Sequence, residues 1–113
     1  MQRKHLRFGK GFRVALGNAR AQAAETVIPP GEAEGDPENR HRGADQWLYV
    51  VAGTSLALVN GERYPLRPGM LMLIEHQDTH EIQNTGRELL RTLNVYVPPA
   101  YTASGDELPP AKP

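Results

Sequence analysis

The stretch QWLYVVAGTSLALVNGERYPL, residues 46–66, decides the fold class of this chain. It holds three short runs rich in Val, Leu and Tyr, which Gly53 and the pair Asn60-Gly61 separate. Asn-Gly is the favoured pair for a two-residue type I′ turn, because both central residues must take positive φ angles. The stretch therefore predicts a strand over residues 47–52, followed by a tight hairpin with strands over residues 55–59 and 62–66.

Short runs of the same kind continue on both sides of the hairpin. Downstream, residues 70–74 are typical of a buried strand, and residues 80–84 and 88–97 alternate apolar and polar side chains. Upstream, residues 19–25 lead into Thr26-Val27-Ile28, and this stretch also predicts a strand. Many short strands with turns at regular spacing are typical of a β-sandwich or barrel, so we predict an all-β fold.

Composition excludes several classes of protein. The chain has 113 residues, which suits one domain with a modest core. Lys plus Arg total 13 and Asp plus Glu total 13, so we expect neither a nucleic-acid partner nor a membrane partner. The absence of cysteine excludes disulfides and thiolate metal sites. No apolar run approaches a membrane span of roughly 20 residues and no signal-peptide pattern is visible, so we expect a cytoplasmic protein.

We predict a single domain over residues 1–113, with its core at about residues 14–97. Residues 1–13 carry five basic side chains and are predicted to form a solvated arm. The alternative, an arm that binds nucleic acid, lacks the interleaved aromatic residues of a stacking surface. Residues 98–113 hold five prolines and are predicted to form a tail.

Polar side chains begin the apolar faces of two predicted strands. Side chains alternate along a strand, so Gln46 shares a face with Leu48 and Val50. In the same way His80 shares a face with Ile82. A polar group at the start of an apolar face suits the mouth of a barrel, where a dry floor meets a polar rim.

These polar residues belong to two groups with a defined spacing. Asn39, His41 and Gln46 precede Gly53, and the second group runs from Gly69 through His80 to Asn84. Two imidazoles brought together inside a barrel can bind Zn, Fe, Mn, Ni or Cu.

The paired spacing resembles the two motifs of the cupin family. The second motif, Gly-x5-Pro-x-Gly-x2-His-x3-Asn, matches at full spacing, although Glu75 and Gln77 stand at its proline and glycine positions. In the first motif, Gly-x5-His-x-His-x3 or 4-Glu-x6-Gly, the closing glycine is Gly53 and Gln46 replaces the glutamate. His41 stands at the second histidine position and Asn39 at the first.

The opening glycine of the first motif is out of register. An alternative alignment uses Gly35 as the opening glycine and His41 as the first histidine, but it then places Gly43 at the second histidine position. We adopt the first alignment because it keeps every later spacing.

The resemblance covers about residues 25–97 and implies a cupin double-stranded β-helix, a jelly-roll barrel in a single domain. The family's metal ligands correspond to Asn39, His41, Gln46 and His80, which implies a divalent transition metal. Only two of these residues are histidines, and neither amide carries the negative charge that would offset a cation. We therefore expect weaker metal affinity than a full ligand set would give.

The ligand pocket is predicted to contain Gln46, Asn39, Asn84 and Tyr96, the last of which shares a strand face with Asn94 and Thr92. Several of these residues have an alternative role. Asn84 can instead cap the turn before Gly86, and Asn39 can be a turn residue.

Four further residues have more than one possible role as well. His41 can be a surface loop histidine, and His80 can be a core histidine that contacts a backbone carbonyl. Glu75 and His76 are expected at the rim, where Glu75 could supply the missing carboxylate.

Three functions remain open at this point. The leading hypothesis is a small metal-binding cupin that acts on or binds a small polar molecule in the barrel. The second is a metal-free module that binds a sugar or a small acid. The third is a metal-independent epimerase or isomerase with His41 or His80 as general base. The sequence does not decide whether the protein is an enzyme, because fold does not fix function.

An apolar stripe predicts how the protein associates. Trp47, Tyr49 and Val51 share the strand face opposite Gln46. Such a stripe is unfavourable in water and is usually covered by a partner chain. We therefore expect a homodimer.

Overall fold

The computed structural model describes residues 1–36 and 43–108, and these contain nine strands and no helix. None of these residues forms a helix that could cross a membrane. The strands are β1 (Gly11–Gly17), β2 (Gln22–Ile28), β3 (Ala33–Asp36), β4 (Asp45–Ala52), β5 (Ser55–Val59), β6 (Glu62–Leu66), β7 (Leu71–Ile74), β8 (His80–Asn84) and β9 (Leu90–Val97). The prediction of an all-β fold is confirmed.

The strands form two antiparallel sheets. One has the order β1-β2-β9-β4-β7 and the other the order β3-β8-β5-β6. From β2 onward the chain changes sheet at every connection except that between β5 and β6, so strands distant in sequence become neighbours. This arrangement is the jelly roll, and it brings β2 and β4 to the two sides of β9.

The predicted hairpin forms between β5 and β6. Asn60 and Gly61 have φ angles of 52° and 81°, as a type I′ turn requires. The side chain of Asn60 also donates to Asp78 Oδ1 at 2.8 Å and accepts from the amide of Thr79 at 3.0 Å. The hairpin is therefore fixed to the loop that precedes β8.

The apolar core lies between the inner faces of the two sheets. Its residues come from both sheets and are all buried: Ile28, Leu48, Val50, Ala57, Leu66, Ile74, Ile82 and Leu90. Leu48 and Val50 lie on the face of β4 that Gln46 begins, as the alternation predicts.

The prediction of a fully buried strand over residues 70–74 is wrong. Leu71 and Leu73 of β7 are 62% and 41% exposed, while Ile74 is buried. β7 is the edge strand of its sheet, so only one of its faces meets the core. A strand of only four apolar residues shows no alternation in its sequence. A strand buried on both faces therefore has the same sequence pattern as one buried on a single face.

The basic N-terminal segment lies along β1 and β2. The side-chain Nε2 of Gln2 donates to the carbonyl of Gly17 at 2.8 Å. Lys4 and Arg7 line a cavity of about 150 Å³ together with Glu25 of β2. Val27 and Glu25 are buried although they point away from the barrel interior, so this segment covers part of the outer sheet face.

Candidate functional site

One end of the barrel interior is polar. The antiparallel register places Gln22 of β2 and Gln46 of β4 on either side of Tyr96 in β9. All three side chains are buried. Further along the same faces, Ile28 pairs with Leu90, and both belong to the apolar core. The interior therefore changes from polar to apolar along the barrel axis, as a binding site with a dry floor requires.

A chain of neutral hydrogen bonds runs inward from Gln46. Its Nε2 donates to Asn94 Oδ1 at 2.9 Å. Asn94 Nδ2 lies 3.1 Å from the hydroxyl oxygens of both Thr26 and Thr92 and donates to them. Because Asn94 Nδ2 donates to the two hydroxyl groups, Asn94 Oδ1 faces Gln46 and accepts a hydrogen bond. Gln46 Nε2 must therefore be the donor.

This network has a consequence for Gln46. Asn94 is only 1% exposed, so the bond from Gln46 is made in a low-dielectric interior where an unmatched polar group is costly. Contact of Gln46 with a cation or with a hydrogen-bond donor would therefore run through its Oε1. Thr92, Asn94 and Tyr96 are all buried and share one face of β9, as the alternation predicts.

His80 is placed at the same end of the barrel. Gln46 pairs with Ile74, the last residue of β7, and the loop 75–79 leads from there directly to His80. His80 is 4% exposed and shares the inner face of β8 with Ile82, as predicted. Chain geometry thus brings Gln46 and His80 to one mouth from different sheets.

The loop between them is held by two carboxylates. Asp45 Oδ1 accepts from the backbone amide of His76 at 2.9 Å and lies 3.2 Å from its Nδ1. Asp78 Oδ2 accepts from the backbone amide of Glu75 at 2.9 Å. Glu75 and His76 are both exposed, which agrees with the expected position at the rim.

Two carboxyl groups near the mouth have shifted pKa values. Hydrogen bonds from Asn60 and from the Glu75 amide lower the pKa of Asp78, and the nearby His80 adds a smaller contribution in the same direction. Partial burial, with a contribution from Glu32, raises the pKa of Glu34.

Glu34 is a residue that sequence reasoning missed. It pairs with Ile82 in the β3–β8 register and therefore lies on the face that also carries His80. Glu34 lies in a Glu-rich turn after Pro29-Pro30, and nothing in that sequence indicates a role for it. The strand β3 has only four residues, too few to show an alternation of apolar and polar side chains.

Asn84 holds loops together at the opposite end of β8. Its Nδ2 donates to the carbonyls of Ile28 at 2.7 Å and Glu88 at 2.8 Å, and its Oδ1 accepts from the Gly86 amide at 2.9 Å. Both amide hydrogens are thus donated to backbone oxygens. These contacts support the turn-capping alternative for Asn84 over the ligand-pocket prediction.

Asn39 and His41 lie outside the described residues. The described strand before them ends at Asp36, which pairs with His80. The strand after them begins at Asp45, next to Gln46. The described strand ends on either side of the gap therefore lie next to His80 and Gln46.

The predicted metal ligands suit a divalent cation in their residue types but bring no charge to offset it. The described residues contain no group of three His, Cys, Asp or Glu side chains that could hold an ion. Imidazole nitrogens and amide oxygens are suitable donors for a borderline cation such as Zn²⁺ or Ni²⁺, so the residue types fit. The set brings no negative charge, which lowers the affinity expected for any cation.

Three aromatic residues pack together at the polar end of the barrel. The ring of Tyr101 lies 4.5 Å from that of Phe12 and 5.0 Å from that of Tyr96, centroid to centroid. Ala24 and Ala44 complete this second apolar cluster. Sequence reasoning missed Tyr101 and Phe12, because they lie in the predicted tail and arm and no local pattern links them.

Comparison with known proteins agrees with this geometry. The model of the Cupin domain family matches residues 24–96. An oxalate-binding protein of Thermotoga maritima is 28% identical over 83 residues, which span 74% of this chain and 67% of that protein.

Solved structures with the same fold are also found. A protein of Thermus thermophilus superposes with a TM-score of 0.74 at 23% identity, over 87% of this chain and 98% of that one. A predicted oxalate decarboxylase of Thermotoga maritima gives a TM-score of 0.68 at 25% identity, over 78% of this chain and 79% of that one. With the family match over residues 24–96 and the two-sheet jelly roll, the chain belongs to the cupin family.

Proposed function

We propose that the protein binds a small organic acid at the polar end of the barrel. The observation that carries this proposal is the buried, neutral network from Gln46 through Asn94 to Thr26 and Thr92. The bond to Asn94 Oδ1 holds the Gln46 amide in one orientation, with Nε2 as the donor, and the second hydrogen of that Nε2 can donate to an acid oxygen with little reordering. His80 supplies an imidazole that can donate to an acid oxygen from the other sheet.

The relatives support an acid over a sugar as the ligand. One curated relative is an oxalate-binding protein, and one structural neighbour is a predicted oxalate decarboxylase. Oxalate is also a suitable probe because its two planar carboxylates can accept from several donors at once. In this proposal Gln46 and Tyr96 face the ligand, with Asn39 as a further contact from the segment outside the described residues.

A metal-binding cupin is the second candidate. His41, His80, Gln46 and Asn39 would hold the metal, which would supply Lewis-acid chemistry and a charge for the acid to bind. The observation in its favour is the inward position of His80 and Gln46 at one mouth. The neutral donor set favours Zn²⁺, Ni²⁺ or Cu²⁺ over Mg²⁺ or Ca²⁺.

The substitution Gln46→Glu distinguishes the two candidates. In the metal-free case the new carboxylate faces Asn94 Oδ1 and repels an anionic ligand, so oxalate affinity should fall about tenfold or more by isothermal titration calorimetry. Metal content after purification without a histidine tag should stay unchanged. In the metal case the carboxylate should raise Zn²⁺ affinity.

Gln77→Glu is the matched control, because it adds the same charge to an exposed loop residue near the rim. It should leave both affinities close to those of the wild type. Wild-type protein that binds no oxalate, with or without added Zn²⁺, would reject the proposal of an acid-binding site.

We also propose that the protein is a homodimer through the outer face of its larger sheet. Trp47 pairs with Leu73 and Tyr49 with Leu71 across β4 and β7, so four apolar side chains form one continuous patch. Val51 extends it along β4. These five residues are 40–62% exposed, and large apolar side chains of this kind are those that a dimer interface covers.

The dimer has a direct test. Wild-type protein should show twice the chain mass by light scattering at micromolar concentration. Leu73→Lys should give the monomer mass, because a buried unpaired ammonium would have to enter the interface. Tyr64→Lys on β6 is the control, since Tyr64 and Leu73 are both 41% exposed but lie on different sheets. A wild-type protein with the mass of one chain would contradict the proposal.

A further inference from the structure

Positive charge is concentrated at one place on the outer face of the larger sheet. The first acidic residue of the chain is Glu25, and six basic side chains precede it in the sequence. Lys4 and Arg7 from the N-terminal segment and Arg13 from β1 line one cavity of about 150 Å³ together with His5 and Glu25. Arg13 is also the register partner of Glu25 across β1 and β2. The wall of this cavity therefore combines several cations with a single carboxylate.

The carboxylate of Glu25 is buried in this basic surrounding. Glu25 is 5% exposed, and its Oε2 is buried without a hydrogen bond to any described residue. No ion pair joins it to Lys4, Arg7 or Arg13 within residues 1–36 and 43–108. A buried carboxylate oxygen without a partner costs free energy, because water no longer hydrates it. Such a side chain in the wall of a cavity indicates that a hydrogen-bond donor belongs there.

The cavity is separate from the site at the mouth of the barrel. Ala24 and Thr26, the neighbours of Glu25 in β2, point inwards, since Ala24 belongs to an apolar cluster and Thr26 accepts from Asn94. The alternation along β2 directs Glu25 to the opposite, outer face. A ligand bound beside Glu25 would therefore not contact Gln46.

The wall of the cavity sets two requirements for a ligand. Lys4, Arg7 and Arg13 carry one positive charge each and Glu25 one negative charge, so the wall keeps two positive charges while His5 is neutral. This excess of positive charge requires an anion. A carboxylate only accepts hydrogen bonds, so the same ligand must also donate one. An anion that carries its own acidic hydrogen meets both requirements.

We propose that this cavity binds inorganic phosphate and selects it against sulfate. Phosphate keeps at least one P–OH group at neutral pH, and this group donates to Glu25 while the other oxygens accept from Arg7, Arg13 and Lys4. Sulfate has the same tetrahedral shape but no hydrogen at this pH, so one of its oxygens would face the carboxylate without a bond. The cavity has room for several water molecules, which is enough for one tetrahedral oxyanion.

The first experiment titrates phosphate and sulfate into the full-length protein by calorimetry, at neutral pH in a chloride buffer. The wild type should bind phosphate at least about tenfold more tightly than sulfate, because only phosphate can donate to the carboxylate. Wild-type protein that binds neither anion, or that binds sulfate as tightly as phosphate, would overturn the proposal. Neither result depends on whether an organic acid binds at the mouth of the barrel.

Methyl phosphate distinguishes free phosphate from the phosphate group of an ester. A phosphate ester loses its last proton at a lower pH than inorganic phosphate does, so most of it lacks a P–OH group at neutral pH. It should therefore bind about tenfold more weakly than inorganic phosphate in the same titration. Equal affinities for the two compounds would contradict recognition of the P–OH group by Glu25.

Glu25→Gln tests the carboxylate itself. The glutamine has nearly the same size, and its amide can donate to a sulfate oxygen, so the preference for phosphate should shrink by about tenfold or more. The variant loses a buried charge and should unfold at a urea concentration no lower than that of the wild type without phosphate. Glu62→Gln is the control, because it removes the same charge from an exposed position on β6. A preference that stays unchanged in Glu25→Gln would refute the assigned role.

Arg7→Gln tests the location of the site without altering a buried residue, since Arg7 is exposed. Phosphate affinity should fall about threefold to tenfold with the loss of one charge-assisted contact. Arg63→Gln, which removes the same charge from an exposed position on β6, should bind phosphate as the wild type does. Equal phosphate affinities in the wild type, Arg7→Gln and Glu25→Gln would place the anion elsewhere on the protein and overturn the inference.

Discussion

Replacement of Asn84 by alanine is expected to lower the free energy of unfolding by about 2–4 kcal/mol. The side chain makes three hydrogen bonds to backbone groups of Ile28, Gly86 and Glu88. The change would leave two carbonyls and one amide without this partner, in a region where Asn84 itself is only 3% exposed. Urea unfolding followed by circular dichroism measures the effect.

Asn18→Ala is the matched control for this prediction. Asn18 also accepts two backbone hydrogen bonds, from Arg20 at 2.8 Å and Ala21 at 3.1 Å, but it does so in an exposed turn. Water replaces such bonds, so the loss should be at most about 1 kcal/mol. If Asn84→Ala costs no more than Asn18→Ala, the loop-fixing role of Asn84 is wrong.

The second large effect is expected at Gly53, which connects β4 to β5. Gly53 has a φ of +91°, and a Cβ added there would lie 2.8 Å from the carbonyl oxygen of Leu89 and 2.9 Å from the Cα of Leu90. Both atoms belong to the backbone next to β9 and cannot rotate away. Gly53→Ala should therefore cost about 3–4 kcal/mol of unfolding free energy through strain and overpacking together.

Gly61→Ala separates these two causes. Gly61 has a similar φ of +81°, but no atom lies within 4 Å of an added Cβ. Only the backbone strain applies there, so the expected cost is about 1–2 kcal/mol in the same urea titration. Equal costs for the two substitutions would show that the close approach of Leu89 and Leu90 has no energetic weight.

Much of the fold can be predicted from local patterns. Asn60-Gly61 predicts the hairpin because few residues accept positive φ angles, and the period of two assigns Gln46 and Trp47 to opposite faces. The same period predicts that His80 and Ile82 share an inner face. Each of these predictions depends only on residues that are close in sequence.

The candidate site is only partly predictable for the same reason. Gln46 and His80 are identified by spacing, but the partner of Gln46 is Asn94, 48 residues away, and its contact follows from the register between β4 and β9. The exposure of Leu71 and Leu73 is not visible in a short apolar run, and the position of Asn84 in the motif leaves both a turn cap and a pocket residue open. Both outcomes depend on which other part of the chain packs against that sheet face or that side chain.

The sequence by itself determined the all-β class, the position of the tight turn and the faces of the strands, because these follow from backbone preferences and side-chain alternation within a few residues. Only the tertiary structure decided that Gln22, Gln46 and Tyr96 form one row and that Tyr101 packs on its end. Those contacts depend on the order of strands in the sheets and on the return of residues 98–108 to the barrel. Hydrogen bonds that join residues 78 and 79 positions apart leave no trace in a local pattern, since only the folded register brings their donors and acceptors within reach.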